Sequence, residues 1–436
     1  MNHDLLWTSK CFLTVLVLGI LCLMKGLRKE PIRRSFQAIF QKPLAASSAV
    51  VLVFFLSIAV LDCIELNFAG DYGSILDQVL APLNVEVEKT YSEPMSLTLF
   101  SSEMEVVDGH PKEVFPRLVY PSKRFHTADQ KNRWVFHVVM KAILWSALVT
   151  LCLAFCWRIF RRHLSLPVKS SLVTLFVVLV IVISSYWLSR ELHILGTGKI
   201  GEDIFYNSVK SIRTGLVLGL LTTLLMMPLA LILGISAGFF GGVIDDIIQY
   251  VYTTLSSIPG VLLITASVLS MQTYIANHPQ YFRTLNENAD ARLLALCLIL
   301  GVTSWTSLCR LLRAEVLKLR EVDFVLAAKV LGSSSYQIIM RHLLPNVMPI
   351  VVITLVLDFS FLVLAEAVLS YVGVGVSPMT ISWGNMINAA RLELAREPMV
   401  WWPVMSAFVF MFLLVLASNL FADAVRDAFD PHQQSV

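Results

Sequence analysis

The sequence REVDFVLAAKVLGSSSYQIIMRHLLPN occupies residues 320–346, between two long apolar runs. Four of its residues follow the i, i+3, i+4, i+7 spacing of one helical face: Phe324, Ala327, Ala328 and Leu331. The adjacent alanines would let another protein's surface approach this helix closely. Val322, Val325 and Leu326 are apolar on the other side of the helix, which predicts that this side is covered too. Gly332 is expected to end the helix, a serine of 333–335 to cap a second short helix, and Pro345 to end that one.

The composition is that of a membrane protein. Of the 436 residues, 56% are hydrophobic and only 15% are charged, with a mean hydropathy of +0.72, whereas soluble domains are about half apolar and a quarter charged. The net charge of +3 does not favour a nucleic-acid partner. The seven cysteines form no CxxC pair, so they are interpreted as small apolar residues, and no metal site is expected.

Runs of about 20 apolar residues predict membrane-spanning helices. The predicted fold class is therefore an all-α polytopic membrane protein. Nine runs have the required length: 5–24, 46–65, 135–157, 169–188, 209–239, 247–272, 291–313, 347–373 and 400–422.

Basic residues predict the orientation of these spans. The loops after the first and third spans are rich in Lys and Arg, so both are expected on the cytoplasmic side. Alternation then places the N-terminus, residues 66–134 and residues 189–208 outside. It places residues 314–346 and the C-terminus inside, and the six basic residues from Arg310 to Arg341 agree with that side.

The chain divides into four predicted segments. Two N-terminal spans (1–65) precede an extracytoplasmic insertion (66–134), for which mixed charge and alternating stretches such as 96–100 predict a small subdomain containing β-structure. Two further spans follow (135–188). The last segment (189–431) holds five spans and the cytoplasmic loop 314–346.

Several words of the sequence resemble those of ABC importer permeases, specifically the C-type subunits of the dipeptide/oligopeptide permease family. The 320–346 stretch resembles the family's EAA loop through Ala327, Ala328, Gly332, Leu344 and Pro345. Six more words between 193 and 431 match: LGTGKIGEDIF (195–205), SAGFFGG (236–242), SSIPG (256–260), LAEAVLSYVGVGV (364–376), SWGNM (382–386) and VRDAFDP (425–431).

The resemblance implies a type I importer helical bundle, here with extra N-terminal spans and the exterior subdomain, in the inner membrane of a bacterium. It implies a transmembrane permease for di- or oligopeptides whose partners are a second permease, two ABC ATPase subunits and an extracytoplasmic substrate-binding protein. ATP and Mg would be bound by the ATPase partners and no cofactor by this chain. The predicted ATPase-coupling residues are Glu321, Phe324, Ala327, Ala328, Gly332, Arg341, Leu344 and Pro345.

Three positions depart from the family words. Leu326 stands where the EAA word has its glutamate, Gly198 where LGTD has its aspartate, and Glu202 where GRD has its arginine. Two catalytic motifs are absent: the sequence contains no GxxxxGK[ST] phosphate loop and no HExxH. The chain is therefore predicted not to be an enzyme.

Two acids of the eighth predicted span are candidate pathway residues. At 1.5 Å per residue, Asp358 lies roughly 18 Å into the span, near mid-membrane, and Glu366 roughly 30 Å along, at the outer interface. A carboxylate at mid-membrane is costly and usually lines a pathway or an interior contact. An alternative of equal weight is that Asp358 is protonated or hydrogen-bonded within the helical bundle. For Glu366, solvation at the membrane interface would be a sufficient explanation.

Two other functions remain open. An ion-coupled secondary transporter would use Asp358 as its proton or cation site. A membrane scaffold would bind an external partner through residues 66–134 and carry a degenerate permease half.

Overall fold

The computed structural model describes residues 6–26, 28, 30–68, 71–85, 87–107, 110–120, 124–161, 165–281 and 284–429. Over these residues, 9 helices are long and apolar enough to cross a membrane. The all-α polytopic fold predicted from the sequence is therefore confirmed.

The α-helices follow in chain order. They are α1 (Trp7–Gly26), α2 (Glu30–Ile39), α3 (Pro43–Cys63), α4 (Ile75–Val79), α5 (Ala81–Val85), α6 (Ala128–Arg161), α7 (Leu166–Leu188), α8 (Ile204–Phe240), α9 (Gly242–Ser257), α10 (Gly260–Asn277), α11 (Leu285–Arg320), α12 (Asp323–Val330), α13 (Ser335–Ile338), α14 (Leu344–Val372), α15 (Trp383–Ala390) and α16 (Trp402–Phe429). A π-helix, Ile339–Leu343, joins α13 to α14. The 3-10 helices are Pro279–Tyr281 and Glu393–Ala395.

The sixth span differs from the prediction. The run 247–272 was expected to form one helix, but it is split into α9 and α10, and only α10 has the length and hydropathy of a span. Ile258 adopts an extended conformation between them, because the ring of Pro259 disfavours the α conformation in the residue before it. The predicted span 247–272 is therefore wrong, and α9 is a separate amphipathic helix.

One compact unit comprises Met1–Phe36, Gly215–Thr380 and Ser418–Val436. Its core is formed by side chains of α8, α9, α11, α12, α13, the π-helix and α14. Glycines of α8 allow close packing on α11: a Cβ at Gly238 would lie 2.7 Å from Cβ of Val316, and one at Gly234 would lie 2.9 Å from the carbonyl oxygen of Cys309. Small residues spaced by four are a usual means of close helix approach in membranes.

The other unit comprises Gln37–Thr214 and Ile381–Ala417. Helix α7 packs against both α3 and α6. Two antiparallel hairpins are present: β1 (Glu65–Phe68) pairs with β2 (Asp71–Ser74), and β3 (Glu103–Val107) pairs with β4 (His110–Val114). The stretch 96–100 forms only the isolated bridges Ser92↔Leu99 and Thr98↔Arg117. The insertion thus contains β-structure, while its predicted segment boundaries stay predictions.

Candidate functional site

Only one narrow side of helix α12 packs against the rest of the chain. Val325 and Ala328, three residues apart, are 2% and 8% exposed and lie in the core of their unit. Ile338 and Leu343 of the following helices lie in the same core. The segment is therefore anchored at several points to the long helices α8 and α11.

The opposite side of α12 is apolar and uncovered. We call its four large side chains the exposed apolar face: Phe324, Leu326, Val330 and Leu331, which are 42%, 41%, 88% and 85% exposed. Ala327 is exposed beside them. The sequence placed Ala328 on the same face as Phe324, Ala327 and Leu331 and expected Leu326 to be covered. Ala328 is instead buried and Leu326 is 41% exposed, because apolar residues surround α12 and their spacing alone does not select the buried side.

Gly332 ends α12 as expected. Its φ of +81° is in the left-handed region, which glycine adopts without a Cβ penalty. The amide of Ser333 donates to the carbonyl of Ala328 at 3.0 Å and that of Gly332 to Lys329 at 3.1 Å, the bonding of a Schellman motif. Ser334 then caps α13 in a capping box with Gln337. A Cβ at Gly332 would have no atom of this chain within 4 Å, so the turn leaves space for a partner.

Pro345 does not end the second helix, contrary to the prediction. Helix α13 continues through the π-helix into α14, with Leu344 and Pro345 in the first turn of α14. Proline lacks the N–H for a bond to residue 341, and its ring would crowd that carbonyl in a regular α-helix. The π-helix lies at this position, and such bulges mark places where the α-helical bonding pattern is interrupted.

Charges surround the segment. Glu321 and Arg341 are exposed, and Glu321 accepts a hydrogen bond from Nε of Arg320 at 3.1 Å. A bidentate ion pair lies nearby, with Nε and Nη2 of Arg313 at 2.5 and 2.6 Å from the two oxygens of Asp245. The hydrogen bonds from Arg313 hold the pKa of Asp245 below its usual value. The pair ties α9 to α11, and sequence reasoning did not identify it because the partners lie far apart in the chain.

The two acids of α14 differ in environment. Glu366 is 2% exposed and accepts a hydrogen bond from Oγ of Ser370 at 2.7 Å, so the interpretation of a solvated interfacial residue is wrong. Asp358 is half-buried. Over the residues that the structure describes, no donor lies within hydrogen-bond distance of its carboxylate. Asp358 is therefore the acid of this helix that lacks a local explanation.

A second polar cluster lies in the LGTGKIGEDIF region, in the unit that contains the insertion. His193, Asp203 and Glu88 are all buried. Nδ1 of His193 lies 2.6 Å from Asp203 Oδ2, and Nε2 lies 3.9 Å from Glu88 Oε1. Burial alone would lower the pKa of His193, but the two carboxylates raise it to about 9. The imidazole is thus an internal cation between two acids.

Glu88 also binds the insertion's backbone. Its carboxylate accepts hydrogen bonds from the amides of Val119 and Tyr120 at 3.0 and 2.7 Å. Burial raises the pKa of Glu88, but His193 and these amides outweigh it, so the net shift is downward. Of these three residues only Asp203 belongs to a family motif, LGTGKIGEDIF, so sequence reasoning did not identify Glu88 or His193.

The backbones of this cluster approach very closely. A Cβ at Gly196 would lie 2.3 Å from the carbonyl oxygen of Ser92, and a Cβ at Gly201 would lie 1.8 Å from that of Glu88. Both glycines have positive φ. The indole of Trp402 donates to the carbonyl of Thr197 at 3.0 Å. Residues 88–92 of the insertion are therefore fastened onto the 196–201 loop.

Comparison with known proteins agrees with this architecture. A family model described as "Binding-protein-dependent transport system inner membrane component" matches residues 230–435. The chain is 30% identical over 242 residues to the dipeptide transport system permease protein of Lactococcus lactis subsp. cremoris. The aligned residues make up 56% of this chain and 64% of that protein. The chain therefore spans slightly less than two thirds of that relative's length.

Two further relatives are covered more fully. The glutathione transport system permease protein of Pectobacterium atrosepticum is 30% identical over 243 residues, which is 56% of this chain and 74% of that protein. The nickel transport system permease protein of Escherichia coli is 30% identical over 241 residues, which is 55% of this chain and 79% of that protein. The chain therefore belongs to the family of binding-protein-dependent transport system inner membrane components, the multi-pass permease subunits of ABC importers.

Proposed function

We propose that this chain is the permease subunit of an ATP-driven importer for di- or oligopeptides, and that its exposed apolar face docks on an ATPase subunit. The two-sided character of α12 carries the proposal. Val325 and Ala328 are fixed in the protein's own core, while Val330 and Leu331 are 88% and 85% exposed. An uncovered apolar surface on an anchored helix is suited to a protein partner.

The anchoring explains how force would pass through the segment. Cores are close-packed and transmit displacement instead of absorbing it. A partner that moves α12 would therefore move Val325, Ala328, Ile338 and Leu343 together, and with them α8 and α11. Two ATPase subunits binding ATP and Mg would supply the displacement, one for this chain and one for a second permease. This chain would bind no cofactor.

The peptide class is proposed from the relatives. Their printed names include dipeptide, oligopeptide, glutathione and nickel transport, and three of these four cargoes are peptides. An extracytoplasmic binding protein would deliver the cargo, with the N-terminus outside and the C-terminus inside. Uptake of a labelled tripeptide by cells expressing the complete transporter should be competed by unlabelled peptides. Competition by nickel ions alone would overturn the peptide assignment.

The docking step is tested by placing a charge on the exposed apolar face. Leu331→Arg should abolish copurification of the ATPase and ATP-driven uptake without lowering the melting temperature, because Leu331 is 85% exposed. Leu285→Arg is the matched control, since Leu285 is 74% exposed at the start of α11. Normal ATPase binding by Leu331→Arg, or equal loss in both variants, would contradict the docking site.

A second candidate function rests on Asp358. Its half-buried carboxylate has no hydrogen-bond donor among the described residues, and an unpaired carboxylate inside a membrane-spanning helix is a candidate proton or cation site. That function predicts uptake without any ATPase and its loss in Asp358→Asn. ATP-dependent uptake that survives Asp358→Asn would exclude it.

A further inference from the structure

The helix pair α6–α7 forms an open cavity at the end where α7 stops. Its volume is about 250 Å³, and it is lined by Trp134, Val138, Lys141, Trp187, Arg190 and Glu191. All six residues belong to the unit that contains the insertion. None of them is used in the coupling or pathway arguments above.

Two basic side chains of the cavity, Lys141 and Arg190, are available to bind a ligand. Over the described part of the chain, the ammonium of Lys141 has no carboxylate within ion-pair distance, although this lysine lies inside a membrane-spanning helix. Arg190 uses one nitrogen on the hydroxyl of Tyr186 at 2.5 Å and lies over that ring. The acid Glu191 is paired with Arg124 at 2.8 Å. The charge left at the cavity is therefore positive.

The lining is also rich in donors. Among the residues described, no protein acceptor lies within hydrogen-bond distance of the indole N–H of Trp134 or of Trp187. Together with Lys141 and Arg190 they supply donors, whereas the one acidic acceptor, Glu191, already has a partner. A ligand that fits this set carries negative charge and accepts hydrogen bonds without donating them, as a phosphodiester does.

The position of the cavity indicates where that phosphodiester comes from. Tryptophan and snorkelling lysine are typical of the membrane–water interface. Trp134, Val138 and Lys141 share one face of α6, and the next residues on that face toward the membrane are Trp145 and Leu148, which are 54% and 55% exposed. An apolar stripe below a cationic cavity suits acyl chains below a headgroup.

We propose that this cavity binds the phosphate headgroup of an anionic phospholipid. Lys141 and Arg190 neutralise the phosphate, and the two tryptophans flank it. The lipid would hold the helix pair α6–α7 at a fixed depth in the bilayer. This inference does not depend on the importer's cargo or on ATPase docking.

The test measures lipid retained by the full-length protein in nanodiscs of equal phosphatidylglycerol and phosphatidylcholine, using native mass spectrometry after transfer to detergent. The wild type should retain phosphatidylglycerol preferentially. Lys141→Gln and Arg190→Gln should each lower that preference about fivefold, the effect of about one interfacial cation, while Lys141→Arg should preserve it. Lys169→Gln, which removes an exposed cation from the other end of α7, is the control for net charge.

Equal retention of the two lipids by the wild type would overturn the proposal, as would equal losses in Lys141→Gln and Lys169→Gln. Excess inorganic phosphate distinguishes the two sources of the anion. If it displaces phosphatidylglycerol completely, the cavity is a free-phosphate site and the lipid assignment is wrong. A retained preference in the presence of phosphate supports the headgroup.

Discussion

Nδ1 of His193 lies 2.6 Å from Oδ2 of Asp203, and its other nitrogen faces Glu88. Because Glu88 belongs to the insertion and Asp203 to the LGTGKIGEDIF region, one buried imidazolium bridges the two segments. The ring of Tyr120 also faces His193, with the two ring centroids 5.4 Å apart.

The bridge should make stability depend on pH. Folding raises the pKa of His193 from 6.5 to about 9, so its contribution is complete below pH 6.5 and is lost as the pH rises through about 9. We expect the melting temperature of the purified protein to fall over this window. His193→Gln should flatten that slope, whereas His137→Gln, at an exposed position of α6, should keep it. An unchanged slope in His193→Gln would refute the bridge.

Gly201 should be intolerant of any side chain. Gly201→Ala places a Cβ 1.8 Å from the carbonyl oxygen of Glu88, so the insertion must separate from the loop in addition to the backbone cost of a positive φ. Gly373→Ala is the matched control, because Gly373 has a φ of +88° and nothing within 4 Å. The free energy of unfolding of the control should fall by only about 1–2 kcal/mol. Limited proteolysis of the insertion measures the difference, and similar protection in both variants would count against the fastening.

Two substitutions of Gly332 distinguish a clash with a partner protein from backbone strain within the chain. Gly332→Ala and Gly332→Trp both force a residue with a Cβ to a φ of +81°, and neither meets another atom of this chain within 4 Å at Cβ. Both should therefore lose similar stability, about 1–2 kcal/mol. Only Gly332→Trp should also abolish ATP-driven uptake, because its ring would occupy the space proposed for the ATPase. Normal uptake with normal assembly in Gly332→Trp would remove the turn from the docking surface.

The Asp245–Arg313 pair should support the position of α9. Asp245→Asn and Arg313→Gln should each lower stability, and the double variant should lose less than the sum, with a coupling of about 1 kcal/mol for a partly buried pair. Thermal unfolding of the three variants measures this cycle. Additive losses would show that the bidentate geometry contributes little.

Over the described residues, the 9 helices of spanning length agree in number with the nine predicted runs, because length and hydropathy are local properties. Hydropathy does not reveal the break in the sixth span, because SSIPG interrupts the apolar run only briefly and the break depends on the conformational effect of Pro259 on Ile258. The buried side of α12 could not be predicted, because Val325 and Leu326 are equally apolar and only the neighbouring helices distinguish them. The Glu88–His193 contact joins residues distant in sequence, for which no spacing rule exists.

The helical path from Ser335 to Val372 contains no loop, since α13, the π-helix and α14 follow one another directly. Its 38 residues make a rod of about 57 Å at 1.5 Å per residue. A tilt of about 10° at the α13 end would carry the far end sideways by about 10 Å, on the geometry of a straight rod of that length. A rigid helix of this length would act as a lever: a small rotation at the surface beside α12 would become a displacement comparable to a helix diameter at the distant end, beyond Glu366.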